Sequence, residues 1–114
     1  MIVEERDYRL VPGRLHEFIS TYEKYGLDIQ RRHLGGFLGY FITEIGELNH
    51  VVAWWSYESL ADREARRTRM LADTEWNGYL GRVAGLIDIQ STRILKPVCF
   101  SPLPVRGRPT EMPS

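Results

Sequence analysis

An α+β fold is predicted: a four-stranded antiparallel sheet in the ferredoxin-like βαββαβ order, with its helices on one face. Three observations predict it. Segments with strand patterning and segments with helical periodicity follow one another as strand, helix, strand, strand, helix pair, strand. The chain has 114 residues, 43% of them hydrophobic, which is enough to bury one core and too short for two ordinary domains. Finally, the two middle strands carry large apolar residues on both faces, and a single helical layer covers only one of those faces.

Residues 2 to 10, IVEERDYRL, set Ile2, Tyr8 and Leu10 on one parity and Val3 alone on the other, the pattern of a strand with one apolar face. Pro12 and Gly13 end it. From Leu15, the apolar residues Phe18, Ile19, Tyr22 and Ile29 recur at helical spacing. At about 100° per residue, His33 falls in register with Leu15 on the inward stripe, unless the helix bends at YGLD, where Gly26 and Asp28 are poor helix formers.

Residues 36 to 45, GFLGYFITEI, place Phe37, Phe41 and Ile45 on one parity and Leu38, Tyr40 and Ile42 on the other. Residues 50 to 57, HVVAWWSY, repeat this, with Val51, Ala53, Trp55 and Tyr57 against Val52 and Trp54. Both strands therefore want burial on both sides. Gly46 and Asn49 between them suit a short hairpin. Ser59 is a good N-cap for LADREARRTRML, with Asp62 in the first turn complementing the helix dipole. Asp73 is a good N-cap for the next helix, where Trp76, Tyr79, Leu80 and Val83 stand at i, i+3, i+4 and i+7. Residues 87 to 97, IDIQSTRILKP, read as a last strand closed by proline. Five of the six prolines lie in the last 18 residues, so residues 1–97 form the predicted domain and 98–114 a Pro-rich arm or tail.

Pairing the uncovered sheet face with that of an identical copy is the simplest way to bury the second side of the middle strands, which predicts a twofold homodimer. Lys and Arg total 15, as do Asp and Glu, so no net positive field would hold a phosphate backbone, and nucleic acid is not an expected partner. The longest apolar run, VVAWW, falls far short of the roughly 20 residues that span a bilayer, and no targeting signal is visible. A soluble chain without a membrane span is expected. The single Cys99 excludes an intrachain disulfide and a cysteine-cluster metal site, and is compatible with a cytoplasmic location.

Several separated stretches together resemble the NIPSNAP family: IVEERDYRLVPGRL, GLDIQRRHLGGFLGYFITEIGELNHVV, and WWSYESLADREARR followed by DTEWNGYL. The resemblance covers residues 2 to 97. Thr74 before Glu-Trp and Asp28 after Gly-Leu depart from it, each where the family often has proline, and both changes concern turn rigidity. The resemblance implies a branch of the dimeric α/β-barrel superfamily, in which two ferredoxin-like subunits join their sheets. It carries little mechanism, because the family's biochemical role is poorly defined.

Candidate chemistry centres first on His33. Beside Arg31 and Arg32 and before Gly35 and Gly36, it fits a helix C-terminus, where cations and a left-handed glycine are favoured. At the mouth of a cavity it would instead be a proton-transfer group. His16 reads as exposed in a first helical turn, and His50 begins a strand away from His33. The three histidines lack metal-ligand spacing, so no metal is expected, and no phosphate-binding or nucleophile motif points to a cofactor. Tyr8, Tyr40 and Trp55, with Arg6 and His33 as polar contacts, make a candidate pocket for a flat apolar or aromatic ligand; the same aromatics also suit a core or a dimer interface. Trp54 and Trp55 cannot both line one pocket, because they alternate across the strand.

Arg63, Arg66, Arg67 and Arg69 fall on one side of their helix, with Asp62 placed to pair with Arg66. A solvated charged face explains them, with an acidic partner as the alternative. Gly78, Gly81 and Gly85 lie opposite the Trp76 and Leu80 stripe, either as surface glycines or for close backbone approach. The functional expectation is a homodimer with a structural or small-ligand-binding role. The alternative is a cofactor-independent monooxygenase or isomerase acting on a small aromatic compound, by fold analogy within the superfamily that the resemblance implies.

Overall fold

The computed structural model describes residues 1 to 103. Strand β1 (Ile2–Leu10) leads to helix α1 (Leu15–Thr21), a π-helical turn (Tyr22–Gly26) and helix α2 (Leu27–Leu34). Strands β2 (Gly36–Ile42) and β3 (His50–Tyr57) follow, then helices α3 (Leu60–Leu71) and α4 (Thr74–Arg82) and strand β4 (Ile87–Leu95). The sheet order is β2-β3-β1-β4 and every pairing is antiparallel, which is the ferredoxin-like arrangement.

The helices cover the face to which Val51, Ala53, Trp55 and Tyr57 point, and none of these four side chains exceeds 2% exposure. Period-two alternation along β3 is thus realised in full, with the odd-numbered residues buried and the even-numbered ones half-buried. Local signals start both later helices. Ser59 accepts a hydrogen bond from the Asp62 backbone N–H, and Asp73 accepts one from the Glu75 N–H.

The first helical region runs through YGLD without a break, by means of a wider turn. The Leu27 N–H donates to the Tyr22 carbonyl, five residues back, instead of four. One extra residue is thereby inserted, and everything beyond it is rotated by about 100° relative to a plain α-helix. Leu34, at 0% exposure, consequently takes the inward position that uninterrupted periodicity assigns to His33. The helix ends at Gly35, whose φ of +79° suits glycine, and Arg66 Nη1 donates to the carbonyls of His33 and Leu34 at 3.2 and 3.4 Å.

The strand expected to reach residue 45 stops at Ile42, and Ile45 is 94% exposed. Residues 43 to 49 form a loop in which Gly46 and Asn49 both adopt positive φ, so the link to β3 is longer than a tight hairpin.

The uncovered sheet face is divided. Along β2 and β3 it presents Phe41, Val52 and Trp54, with the Phe41 ring edge-on to Trp54 at 5.0 Å between centroids. Along β1 and β4 it carries charge pairs: Glu5 accepts from Arg93 Nε at 2.7 Å and from the Trp54 indole at 3.0 Å, Asp7 bonds His50 at 2.7 Å, and Arg9 holds Asp88. The Pro-rich tail expected over residues 98–114 lies outside the described residues from 104 onward. Residues Ser101 and Leu103 share the lining of a small cavity with Val3 and Trp54 on the uncovered face.

Candidate functional site

Between the helix-facing side of the sheet and the helices lies a cavity of about 230 Å³. Tyr8 and Tyr40 reach it from the sheet, Tyr22 from the π turn, and Trp76 and Tyr79 from α4. These rings form a connected wall. Tyr22 stacks on Tyr40 at 4.6 Å between centroids and meets Tyr79 edge-on at 5.9 Å, while Trp76 packs on Tyr79 at 4.9 Å. Gly26 makes room for this contact, since a Cβ there would lie 2.8 Å from the Tyr79 ring.

Burial pushes the Tyr22, Tyr40 and Tyr79 hydroxyls well above the usual tyrosine range. They remain protonated at neutral pH and act as O–H donors. Tyr22 donates to the Gln30 side-chain carbonyl, which takes up one of that oxygen's two acceptor sites and leaves both N–H groups of the amide to donate.

The polar end of the cavity is built on β1. Glu4, Arg6 and Tyr8 share the helix-facing parity with Ile2 and Leu10, so an acid and a base are carried under the helices. The Glu4 carboxylate is 0% exposed. It accepts from both Nε and Nη2 of Arg63, from Arg6 Nη1 at 3.3 Å and from the Tyr57 hydroxyl at 3.3 Å. Arg6 Nε in turn donates to the Tyr8 hydroxyl oxygen at 2.7 Å.

Helix α3 supplies more of this end than a solvated face would. Arg63 binds Glu4, Arg66 binds Asp62 at 2.8 Å and caps α2, and Arg67 lines the cavity; of the four arginines only Arg69 is exposed. Arg69 stands apart as an exposed residue, whereas helical periodicity placed Arg63, Arg66 and Arg67 together. The face they form is directed inward because the strand beneath it is charged at Glu4 and Arg6.

Of the residues singled out from the sequence, Arg6, Tyr8 and Tyr40 meet at this cavity. His33 lies outside its lining, rotated away by the π turn, and its Nε2 sits 2.8 Å from the Asp73 carboxylate. That contact ties the end of α2 to the start of α4, and with the Glu75 N–H it holds the Asp73 carboxyl below its usual value. Trp55 points towards the helices as its parity requires, but it is wholly enclosed against Phe37 and does not reach the cavity. Its indole N–H has no hydrogen-bond partner among the described residues. Trp76, Tyr79 and Tyr22 carried only a core signal in the sequence, and Arg67 a surface signal. Among the described residues no group of three or more His, Cys, Asp or Glu side chains is placed to hold a metal ion.

A ferredoxin-like α+β domain with an aromatic cavity under its sheet, closed at one end by arginines, is the class of protein that these features define. A profile of the NIPSNAP family matches residues 3–102, and the chain belongs to that family. It is 32% identical over 101 residues to Protein NipSnap of Drosophila melanogaster, covering 89% of this chain and 36% of that protein, so it spans about a third of that relative's length. A NIPSNAP family protein of unknown function from Agrobacterium tumefaciens superposes with a TM-score of 0.88 at 42% identity, covering 90% of this chain and 93% of that one. An uncharacterized NIPSNAP-like domain protein from Burkholderia xenovorans gives 0.87 at 45% identity, with 96% and 97% covered. A structure described as an antibiotic biosynthesis monooxygenase gives a TM-score of 0.61 at 11% identity over 86% of this chain and 99% of that chain, a likeness of fold alone. Among the described residues no helix is long and apolar enough to cross a membrane.

Proposed function

We propose that this NIPSNAP family chain is a homodimeric binding protein for a small flat ligand, held in the cavity between sheet and helices. The observation that carries the reading is the aromatic wall of Tyr8, Tyr22, Tyr40, Trp76 and Tyr79 around a space of about 230 Å³, with Arg6 at one end. Large apolar walls with a few convergent polar groups are the usual make-up of a ligand site, and this volume lies below the range typical of drug-sized ligands. Binding is favoured over turnover because His33 stands outside the cavity and burial shifts the Tyr22, Tyr40 and Tyr79 hydroxyls away from neutral pH, the wrong direction for a proton-transfer base.

The dimer rests on the uncovered half of the sheet, where Phe41 is 44% exposed beside Val52 and Trp54. The charge pairs of β1 and β4 would form the polar rim of that contact. A single exposed Cys99 suits a reducing compartment, in keeping with a cytoplasmic location.

Calorimetric titration with a panel of small aromatic compounds tests the reading. One site per chain is expected, lost in Leu80→Trp, which fills the cavity from a rim position that is 40% exposed and therefore tolerant of a larger side chain. Absence of saturable binding across the panel would remove the proposal. For the dimer, sedimentation equilibrium is expected to show a twofold mass that Phe41→Asp reduces to that of one chain.

A further inference from the structure

Arg67 lines the cavity yet makes no hydrogen bond and no ion pair with any described residue. Its neighbours are otherwise accounted for. Arg63 and Arg6 both donate to Glu4, and Arg6 also donates to Tyr8. Three guanidinium groups therefore share one carboxylate, which leaves positive charge in excess, and of the two that line the cavity, Arg6 and Arg67, only Arg6 is bonded to that carboxylate. Burial, together with the charge of Arg6, disfavours the charged form of Arg67, with Glu4 and Tyr57 acting against this. A half-buried arginine without a partner is costly in a folded protein, because guanidinium groups taken out of water are ordinarily paired.

The other polar groups at the cavity have the same bias. The Tyr40 and Tyr79 hydroxyls are protonated, the Gln30 carbonyl already accepts from Tyr22 and its NH2 group can donate, and the Tyr8 oxygen already accepts from Arg6, which leaves its O–H free to donate. The lining thus offers donors and positive charge at one end and aromatic faces over the rest.

We propose that the ligand is a small monocarboxylate with a flat apolar body, its carboxylate held by Arg67 beside Arg6 and its body against the Tyr22–Tyr40 stack and Trp76. This rests on the binding reading above and names the ligand's chemical class. A planar carboxylate matches the guanidinium fork in two parallel hydrogen bonds, and it adds one negative charge where an unbalanced positive charge lies.

The test is calorimetric titration of the full chain with three matched probes: phenylacetate, its neutral amide phenylacetamide, and phenyl phosphate. Phenylacetate is expected to bind at least about 10-fold more tightly than the amide, a charge-assisted pair being lost in the latter. In Arg67→Gln the two should bind alike, at the affinity the amide has for the parent protein, and Arg67→Lys should fall between. Arg67→Gln leaves both arginines of Glu4 in place, so the variant is expected to fold, and its melting curve checks this. Equal binding of acid and amide to the parent protein would overturn the carboxylate assignment and leave the pocket reading standing. Binding of phenyl phosphate without phenylacetate would replace carboxylate by phosphate and likewise overturn it. Binding of none of the three would remove this assignment, and failure of the wider aromatic panel as well would remove the pocket reading with it.

Discussion

Removing the charge of Glu4 while keeping its shape, as in Glu4→Gln, strikes the polar end of the cavity at its centre. The carboxylate is fully enclosed and receives two hydrogen bonds from Arg63, one from Arg6 and one from Tyr57. The side chains of Arg6 and Arg63 are only 13% and 26% exposed, so neither guanidinium is freely rehydrated when its partner disappears. Breaking a buried ion pair from one side costs about 3–5 kcal/mol. Because Arg63 retains some exposure and can swing outward, the lower end applies, about 3 kcal/mol. That is a large part of the 5–15 kcal/mol that typically holds a domain folded, and corresponds to a fall in Tm of about 10–15 °C. Urea unfolding should show a lower midpoint at an unchanged slope. Adding Arg63→Met, which removes the guanidinium left behind, should return at least about 1 kcal/mol. A loss below about 1 kcal/mol in Glu4→Gln, or a double variant no better than the sum of its parts, would refute the view that this carboxylate organises the arginines.

Three further outcomes follow from the same geometry. Arg67→Met, which removes a half-buried charge with no partner among the described residues, should raise the stability of the ligand-free protein by about 1 kcal/mol in the same unfolding assay, the usual sign of a residue kept for binding. Gly26→Ala should destabilise by about 1–3 kcal/mol, because its Cβ would lie 2.8 Å from Tyr79 and 3.0 Å from Tyr22, whereas Gly78→Ala and Gly81→Ala, which meet open space, should each stabilise by up to about 1 kcal/mol. Asp73 is held below its ordinary pKa of 3.8, chiefly by His33, so its contribution is present above that value and is lost as pH falls through the lower folded value. The difference in Tm between the parent protein and Asp73→Asn should therefore shrink in acid below about pH 4; a difference constant from pH 7 to pH 2 would refute the assignment.

Much of this architecture was legible in the sequence, because its signals are local. The alternation in HVVAWWSY sets the buried parity of β3, and Ser59 and Asp73 start their helices through hydrogen bonds within three residues. The site was legible only in part. Arg6 and Tyr8 come from β1, where the period of two keeps side-chain direction readable. In β2 a register shift between Phe37 and Gly39 breaks that period, so that Phe37, expected on the face of Phe41, packs with Tyr40 on the helix-facing side instead. His33 was misplaced because its direction depends on counting 18 residues from Leu15 through a helix that contains one residue more than its turns allow. Gly26 and Asp28 marked the place of that irregularity but not its form. Arg67 was hidden for another reason: whether a charged helix face meets water or protein depends on what lies beneath it, and that is a property of two elements together. A clue existed in β1, where Glu4 and Arg6 share the parity of Ile2, Tyr8 and Leu10, so a charged strand face was available to match the charged helix face.

The π turn also determines which changes of length the first helical region can absorb. With donor and acceptor five positions apart at Leu27 and Tyr22, the segments before and after it keep separate angular frames. Deleting one residue there would restore an ordinary helix and leave α2 in phase, with Leu34 still inward, whereas closing the turn to an α-turn with every residue kept would turn the whole of α2 by about 100°. His33 would then face the interior in place of Leu34, Asp73 would lose its contact, and the carbonyls that Arg66 caps would move out of its reach. The extra residue works as a phase shifter, and it lets one continuous helix present Phe18 and Tyr22 from its first half and Ile29 and Leu34 from its second to the same sheet.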